Sequence, residues 1–331
     1  MEYSGAALQL ELENARKSMK KANENKKSSV MSFRFSPDWD NVARHTRDAI
    51  NILRRCGSSN SQALIEALEL SMDANSHINA FNQLAMDREE AANLMVKSGE
   101  KNLKKAVELF RGASQAYLMN NQVDRAATTL VAAAQAIKEA MGVTPVSKFS
   151  MQALLDEACS IYEDADRAAM AEQTFKTMLA FTLKDCEDLE GGIKILHRQN
   201  KIYARRLDMF TNDLHKNYVS EIILLLALNQ LPKAREVLDA YVNDVGAPAE
   251  TGFSSSALCQ AAQDLIDSIS LPQAKFVEVR DKNKTLKYLD NAVSRILFRL
   301  KALGKEEVAK AEEDAKQREQ EEINKELQNL L

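Results

Sequence analysis

Four histidines, His45, His77, His197 and His215, and four cysteines, Cys56, Cys159, Cys186 and Cys259, are the side chains of this sequence best suited to hold a metal or act as nucleophiles. Their spacing supports neither chemistry. No His-Glu-x-x-His or Cys/His ligand spacing occurs, so no metal site is expected. The cysteines are far apart, without a Cys-x-x-Cys pair, and no signal peptide is read at the start; they fit reduced thiols in the cytoplasm. Gly191-Gly192 lacks the lysine, serine and preceding strand of a phosphate loop and reads as a break or a bend in a helix. Carboxylates are abundant, but no fixed constellation with a nucleophile or an oxyanion loop can be read. The sequence therefore predicts no catalytic residue, no cofactor and no metal, and a protein that is not an enzyme.

Binding chemistry is better represented. Val30, Met31, Phe33 and Phe35 lie in a loop, Asn25 to Pro37, beside Lys26, Lys27 and Arg34, with the only tryptophan, Trp39, just after it. Two readings are open for these residues. They tuck under the first hairpin as stapling hydrophobics, or they form a membrane-contact loop, apolar rings entering the acyl boundary while cations meet anionic head groups at about 1 kcal/mol per charge. The formal net charge of −4 argues against a nucleic-acid binder, which needs a cationic surface to displace phosphate counterions. The ends are polarised in opposite senses: Arg16 to Lys27 holds six basic residues against Glu24, whereas Lys305 to Glu326 holds nine acidic against five basic, so different partners are expected at each. In the apolar run Ile222 to Leu228 the sequence reads a buried helix segment, far short of the roughly 20 residues that cross a bilayer.

The elements that must carry these residues are helices. Ala106, Leu109, Phe110, Ala113, Ala116 and Tyr117 recur at helical intervals; Asn120 to Gln122 break the pattern; Ala126, Ala127, Leu130, Val131, Ala133 and Ala134 resume it. That is a helical hairpin, with alanines where the two helices approach. The signature returns: Ala113-x-x-x-Tyr117 with Asp124-Arg125-Ala126-Ala127 becomes Ala158-x-x-x-Tyr162 with Asp166-Arg167-Ala168-Ala169. Tyr117, Tyr162, Tyr203 and Tyr241 mark successive units at drifting intervals, as in a degenerate tetratricopeptide array, in which one hairpin buries its apolar face only against the next. With few glycines and prolines and almost no strand-like alternation, the fold class is all-α: a tetratricopeptide-like right-handed solenoid of antiparallel helical hairpins with a C-terminal helical bundle. The Gly/Pro/Ser-rich stretch Asp244 to Ser256 sets the expected domains: 1–252 solenoid, 253–303 bundle and 304–331 charged helical tail.

FSSSALCQAAQDLIDS from Phe253 and FVEVRDKNKTLKYLDNAVSRILFRLK from Phe276 resemble the C-terminal bundle of soluble NSF attachment proteins. SFRFSPDWDNVARHTRDAI from Ser32 and RQNKIYARR from Arg198 look like stretches of the gamma-type member, and HKNYVSEIILLLALNQLPKAREVL from His215 is similar to the family's penultimate solenoid hairpin. The resemblance implies an adaptor, peripherally associated with membranes, that coats the assembled SNARE four-helix bundle with its concave face and recruits the hexameric ATPase NSF without hydrolysing anything itself. It places Lys216 and Tyr218 where the family has a lysine-x-tyrosine on the SNARE-binding groove. Lys201, Arg205 and Arg206 join them on charge alone. The acidic C-terminal end would engage the ATPase, through Glu321, Glu322, Glu326, Leu330 and Leu331 here. The tail departs from the pattern: family members end soon after the bundle, whereas this chain continues for 28 mostly polar residues after Leu303. A generic tetratricopeptide-like scaffold is the competing reading, and a helical enzyme would need a deep pocket with convergent titratable groups.

Overall fold

A computed structural model describes residues 5–27, 36–57, 60–243 and 250–304, with positions 307, 310, 313 and 317 beyond them. Among these residues the regular elements are all helical. They divide into two compact units, one ending at Ala165 and one starting at Asp166.

In the first unit, α1 (Gly5–Lys26), α2 (Trp39–Arg55), α3 (Ser61–His77), α4 (Phe81–Lys97), α5 (Leu103–Met119), α6 (Val123–Met141) and α7 (Pro145–Asp164) follow in order. Each packs mainly on its neighbours in sequence, with α4 reaching α6 and α5 reaching α7. This is the contact pattern of stacked hairpins. The predicted stripe of α5 is buried at Ala106, Phe110, Ala113, Ala116 and Tyr117, and that of α6 at Ala126, Ala127, Leu130, Ala133 and Ala134. Alanines sit where helices cross: Ala67 and Ala91 in one core cluster, Ala85, Ala113, Ala116 and Ala126 in the next. Small side chains there let backbones close up, and the large rings fill what remains. Three of the four recurring tyrosines are such rings, Tyr117, Tyr162 and Tyr203 being buried, while Tyr241 is half-buried.

Three of the turns between helices share one device. Asn79, Asn121 and Asn229 adopt φ of 56°, 56° and 57°, the left-handed conformation that asparagine tolerates better than most residues. Each is followed by a residue whose N–H reaches back over the turn: Ala80 to the Asn75 carbonyl, Gln122 to that of Tyr117 and Gln230 to that of Leu225, all at 2.9 Å. These are Schellman-type closures that satisfy the last carbonyls of one helix and start the next. Gly142, at φ 66°, ends α6. Thr144 then caps α7 reciprocally with Ser147, and Pro145 occupies the first helical position.

One buried carboxylate ties three helices of this unit together. Asp87 on α4 is fully buried. It accepts from Arg47 on α2 at 3.0 Å, Ser71 and Asn75 on α3 at 2.7 and 2.9 Å, and Gln83 at 2.9 Å. A buried carboxylate is tolerable only when its lone pairs are used in this way.

The second unit comprises α8 (Ala168–Ala180), α9 (Leu189–Tyr203), α10 (Leu207–Ala227), α11 (Leu231–Asn243), α12 (Ala257–Ser268), α13 (Gln273–Lys282) and α14 (Asn291–Arg299). The apolar run predicted as a buried segment lies in α10, which packs on α9, α11, α12 and α14 and is the axis of the unit. A π-helical turn, Phe181–Asp185, joins α8 to the loop before α9. Gly191 and Gly192 do not break or bend a helix; they sit in the first turn of α9, capped by Asp188. Gly192 is there because a Cβ would come within 2.5 Å of Leu183 and 3.2 Å of Leu224. No helix of the described residues is long and apolar enough to cross a membrane.

Candidate functional site

The basic residues singled out from charge lie at the junction of α9 and α10. Lys201 is near the end of α9, and Arg205 and Arg206 lie in the 3-10 turn Ala204–Arg206 that links the helices; all three are exposed. Arg205 pairs with Asp166 at 3.0 Å and Arg206 with Asp208 at 3.5 Å. Both pairs are more than half exposed, so they contribute at most about 1 kcal/mol and a more acidic partner can displace them. Lys216, one helix further on, pairs with Asp213 at 2.9 Å and keeps about a quarter of its side chain in solvent.

Tyr218, grouped with Lys216 by the family pattern, belongs to the interior. It is 4% exposed. Its ring stacks on Tyr241 with centroids 4.0 Å apart and meets Phe253 edge-on at 5.2 Å. Two residues apart on a helix, Lys216 and Tyr218 point about 200° apart, so one meets solvent while the other supports it from inside. The Tyr241 hydroxyl donates to Glu221, a buried carboxylate that His197 approaches at 2.7 Å through Nε2. The hydrogen bond to Glu221 raises the His197 pKa above the usual imidazole value, and burial pushes the Tyr241 phenol up.

His215 is the opposite case. It is 8% exposed, packs edge-on against Phe253 at 5.2 Å, and burial lowers its pKa. It lines a cleft of about 300 Å³. Three elements wall this cleft: α10 through Asn212, His215 and Lys216; the start of α12 through Ser256, Ala257 and Leu258; and the 3-10 turn Lys284–Tyr288 through Thr285 and Tyr288. Sequence reading set His215 aside because no ligand residue lies near it in the chain. Its partners come from positions about 40 and 70 residues away, and no local pattern announces them.

The loop expectation is only partly within view. Val30, Met31, Phe33 and Phe35 lie outside the described residues, as do Glu321, Glu322, Glu326, Leu330 and Leu331 of the tail. Trp39 opens α2 and packs on the cluster of Ala22, Val42, Leu70 and Ala74. Its indole stacks on His77 at 3.9 Å and 11° between planes, and the Lys26 ammonium stands 6.0 Å from the ring centroid. Among the described residues no group of His, Cys, Asp and Glu is arranged to hold a metal ion.

Neighbour-by-neighbour helix packing, alanine crossings and repeated asparagine turns define an all-α hairpin-repeat protein, a solenoid class. No protein-family model matches the chain. Among curated proteins it is similar to the Gamma-soluble NSF attachment protein of Dictyostelium discoideum, with 25% identity over 278 residues, covering 84% of this chain and 79% of the relative. That similarity supports membership of the soluble NSF attachment protein family.

Proposed function

We propose that this protein is a non-enzymatic adaptor that binds assembled SNARE complexes and recruits an NSF-type ATPase to disassemble them in vesicle trafficking and membrane fusion. The observation that carries the reading is the similarity, across most of both chains, to a protein named for attachment to NSF. Lys201, Arg205 and Arg206, exposed at the α9–α10 junction, and the half-buried Lys216 further along α10 supply the SNARE contact, because cations suit the acidic surface of a helical bundle. The loop of Val30, Met31, Phe33 and Phe35, next to Trp39 and Lys26, acts as the peripheral membrane contact on the cytoplasmic side. The acidic tail, with Glu321, Glu322, Glu326, Leu330 and Leu331, engages the ATPase. The 1–252 solenoid and the 253–303 bundle divide these tasks.

Co-sedimentation with a preassembled SNARE bundle, followed by NSF and a non-hydrolysable nucleotide, tests the reading. A ternary complex that weakens with salt, and that Lys201→Glu with Lys216→Glu weakens about tenfold, is the expected result. Indifference to every SNARE bundle would leave a hairpin scaffold with other partners.

A further inference from the structure

We infer that the cleft between α10, the start of α12 and the turn Lys284–Tyr288 is an anion site for a phosphate group that carries a proton. The inference does not rest on the adaptor reading. α12 runs for 12 residues, and its first turn opens into the cleft. Ser256 Oγ already satisfies the Cys259 N–H at 3.1 Å, which leaves the N–H groups of Ala257 and Leu258 as the two donors of the first turn without an intrahelical partner. Backbone donors at a helix N-terminus attract an oxyanion. Lys216 stands on the opposite wall and Thr285 on a third. Lys284 and Lys287, both exposed, flank Thr285 on its turn and add positive potential at the rim.

The second observation selects the kind of anion. His215 is more than nine-tenths buried, lines the cleft, and its Nε2 has no hydrogen-bond partner. Its ring is also bonded to the backbone of Thr251, in the sense that favours the protonated ring. With Nε2 unpartnered the bond falls to Nδ1, and an N–H given to a backbone carbonyl is the contact that favours the protonated ring, so we assign the neutral ring Nδ1–H and leave Nε2 as an acceptor. Burial lowers the His215 pKa and keeps the ring neutral near neutrality. The cleft thus offers donors from α12 and Lys216 and one acceptor that needs a proton. Sulfate and a carboxylate, fully ionised near neutrality, satisfy the donors but present a bare oxygen to Nε2. Hydrogen phosphate satisfies both, and a phosphate monoester does so in its singly charged form. Nε2 has almost no exposed area, so seating the anion against it requires the side chains lining the cleft to shift.

Calorimetric titration of the full chain at about pH 7 with inorganic phosphate, O-phosphoserine and sulfate tests this. Phosphate should bind at least about tenfold more tightly than sulfate and shift the Ala257 and Leu258 amide resonances. Inorganic phosphate and O-phosphoserine distinguish a free ion from a phosphorylated side chain as the source, the tighter identifying it. His215→Phe, which keeps a ring against Phe253, should abolish the preference over sulfate; Lys216→Gln should weaken all three ligands, and circular dichroism checks that both variants fold. Equal binding of sulfate and phosphate, or no binding of phosphate, overturns the inference even if His215→Phe does not fold.

Discussion

Asp87→Asn removes a single charge from the first unit and leaves every side chain about the same size. The Arg47 guanidinium, bonded to Asp87 at 3.0 and 3.2 Å, loses its counter-charge. The new amide nitrogen, a donor, replaces an oxygen that accepts either from Ser71 and Asn75 or from Gln83. Breaking a buried ion pair from one side costs about 3–5 kcal/mol. Arg47 keeps 26% of its side chain in solvent, which relieves part of the cost and puts the expected loss near the lower bound, about 3 kcal/mol. The only tryptophan, Trp39, lies in the same unit, so urea unfolding followed by its fluorescence reports on that unit rather than on the whole chain. With a slope of about 2 kcal/mol per molar urea, the midpoint should fall by about 1.5 M. Replacing Arg47 and Asp87 together by methionine should recover part of the loss, because no buried charge is then left alone. A midpoint shift below about 0.3 M for Asp87→Asn would refute the view that this carboxylate holds α2, α3 and α4 together.

Tyr218 and Lys216 should separate cleanly: Tyr218→Ala removes a ring with 4% exposure and should cost the second unit about 3–5 kcal/mol, seen as faster amide exchange in α10, whereas Lys216→Gln should leave exchange unchanged. The two histidines, His197 against Glu221 and His215 in the cleft, should titrate in opposite senses, which the imidazole Cε1–H resonances report directly: His197 above the free value of about 6.5 and His215 below it. The sign for stability follows. His197 has the raised folded value, so its contribution is complete below about pH 6.5 and is lost as pH rises through that folded value; His197→Gln should remove this dependence from the exchange rates of α10. A His197 resonance titrating below the free value would contradict the Glu221 contact.

The helical class and the α5–α6 hairpin with its stripes, the buried ring of Tyr117 included, were legible in the residue order, because a helix writes its period into any stretch that must bury one face. The exposed cations at the α9–α10 junction were legible for a similar reason, since a run of like charge has to face water. What pairs across space was not. Arg47 finds Asp87 from 40 residues away, His215 faces Ser256 and Thr285, and Gly192 is small because Leu183 and Leu224 press on it. Tyr218 and Lys216 looked equivalent in a short motif, and only the packing of α10 against Tyr241 and Phe253 sent one inward. Local periodicity determines which face of each helix is apolar; which faces meet, and therefore which polar groups share a cleft or a buried bond, is decided only when the helices pack.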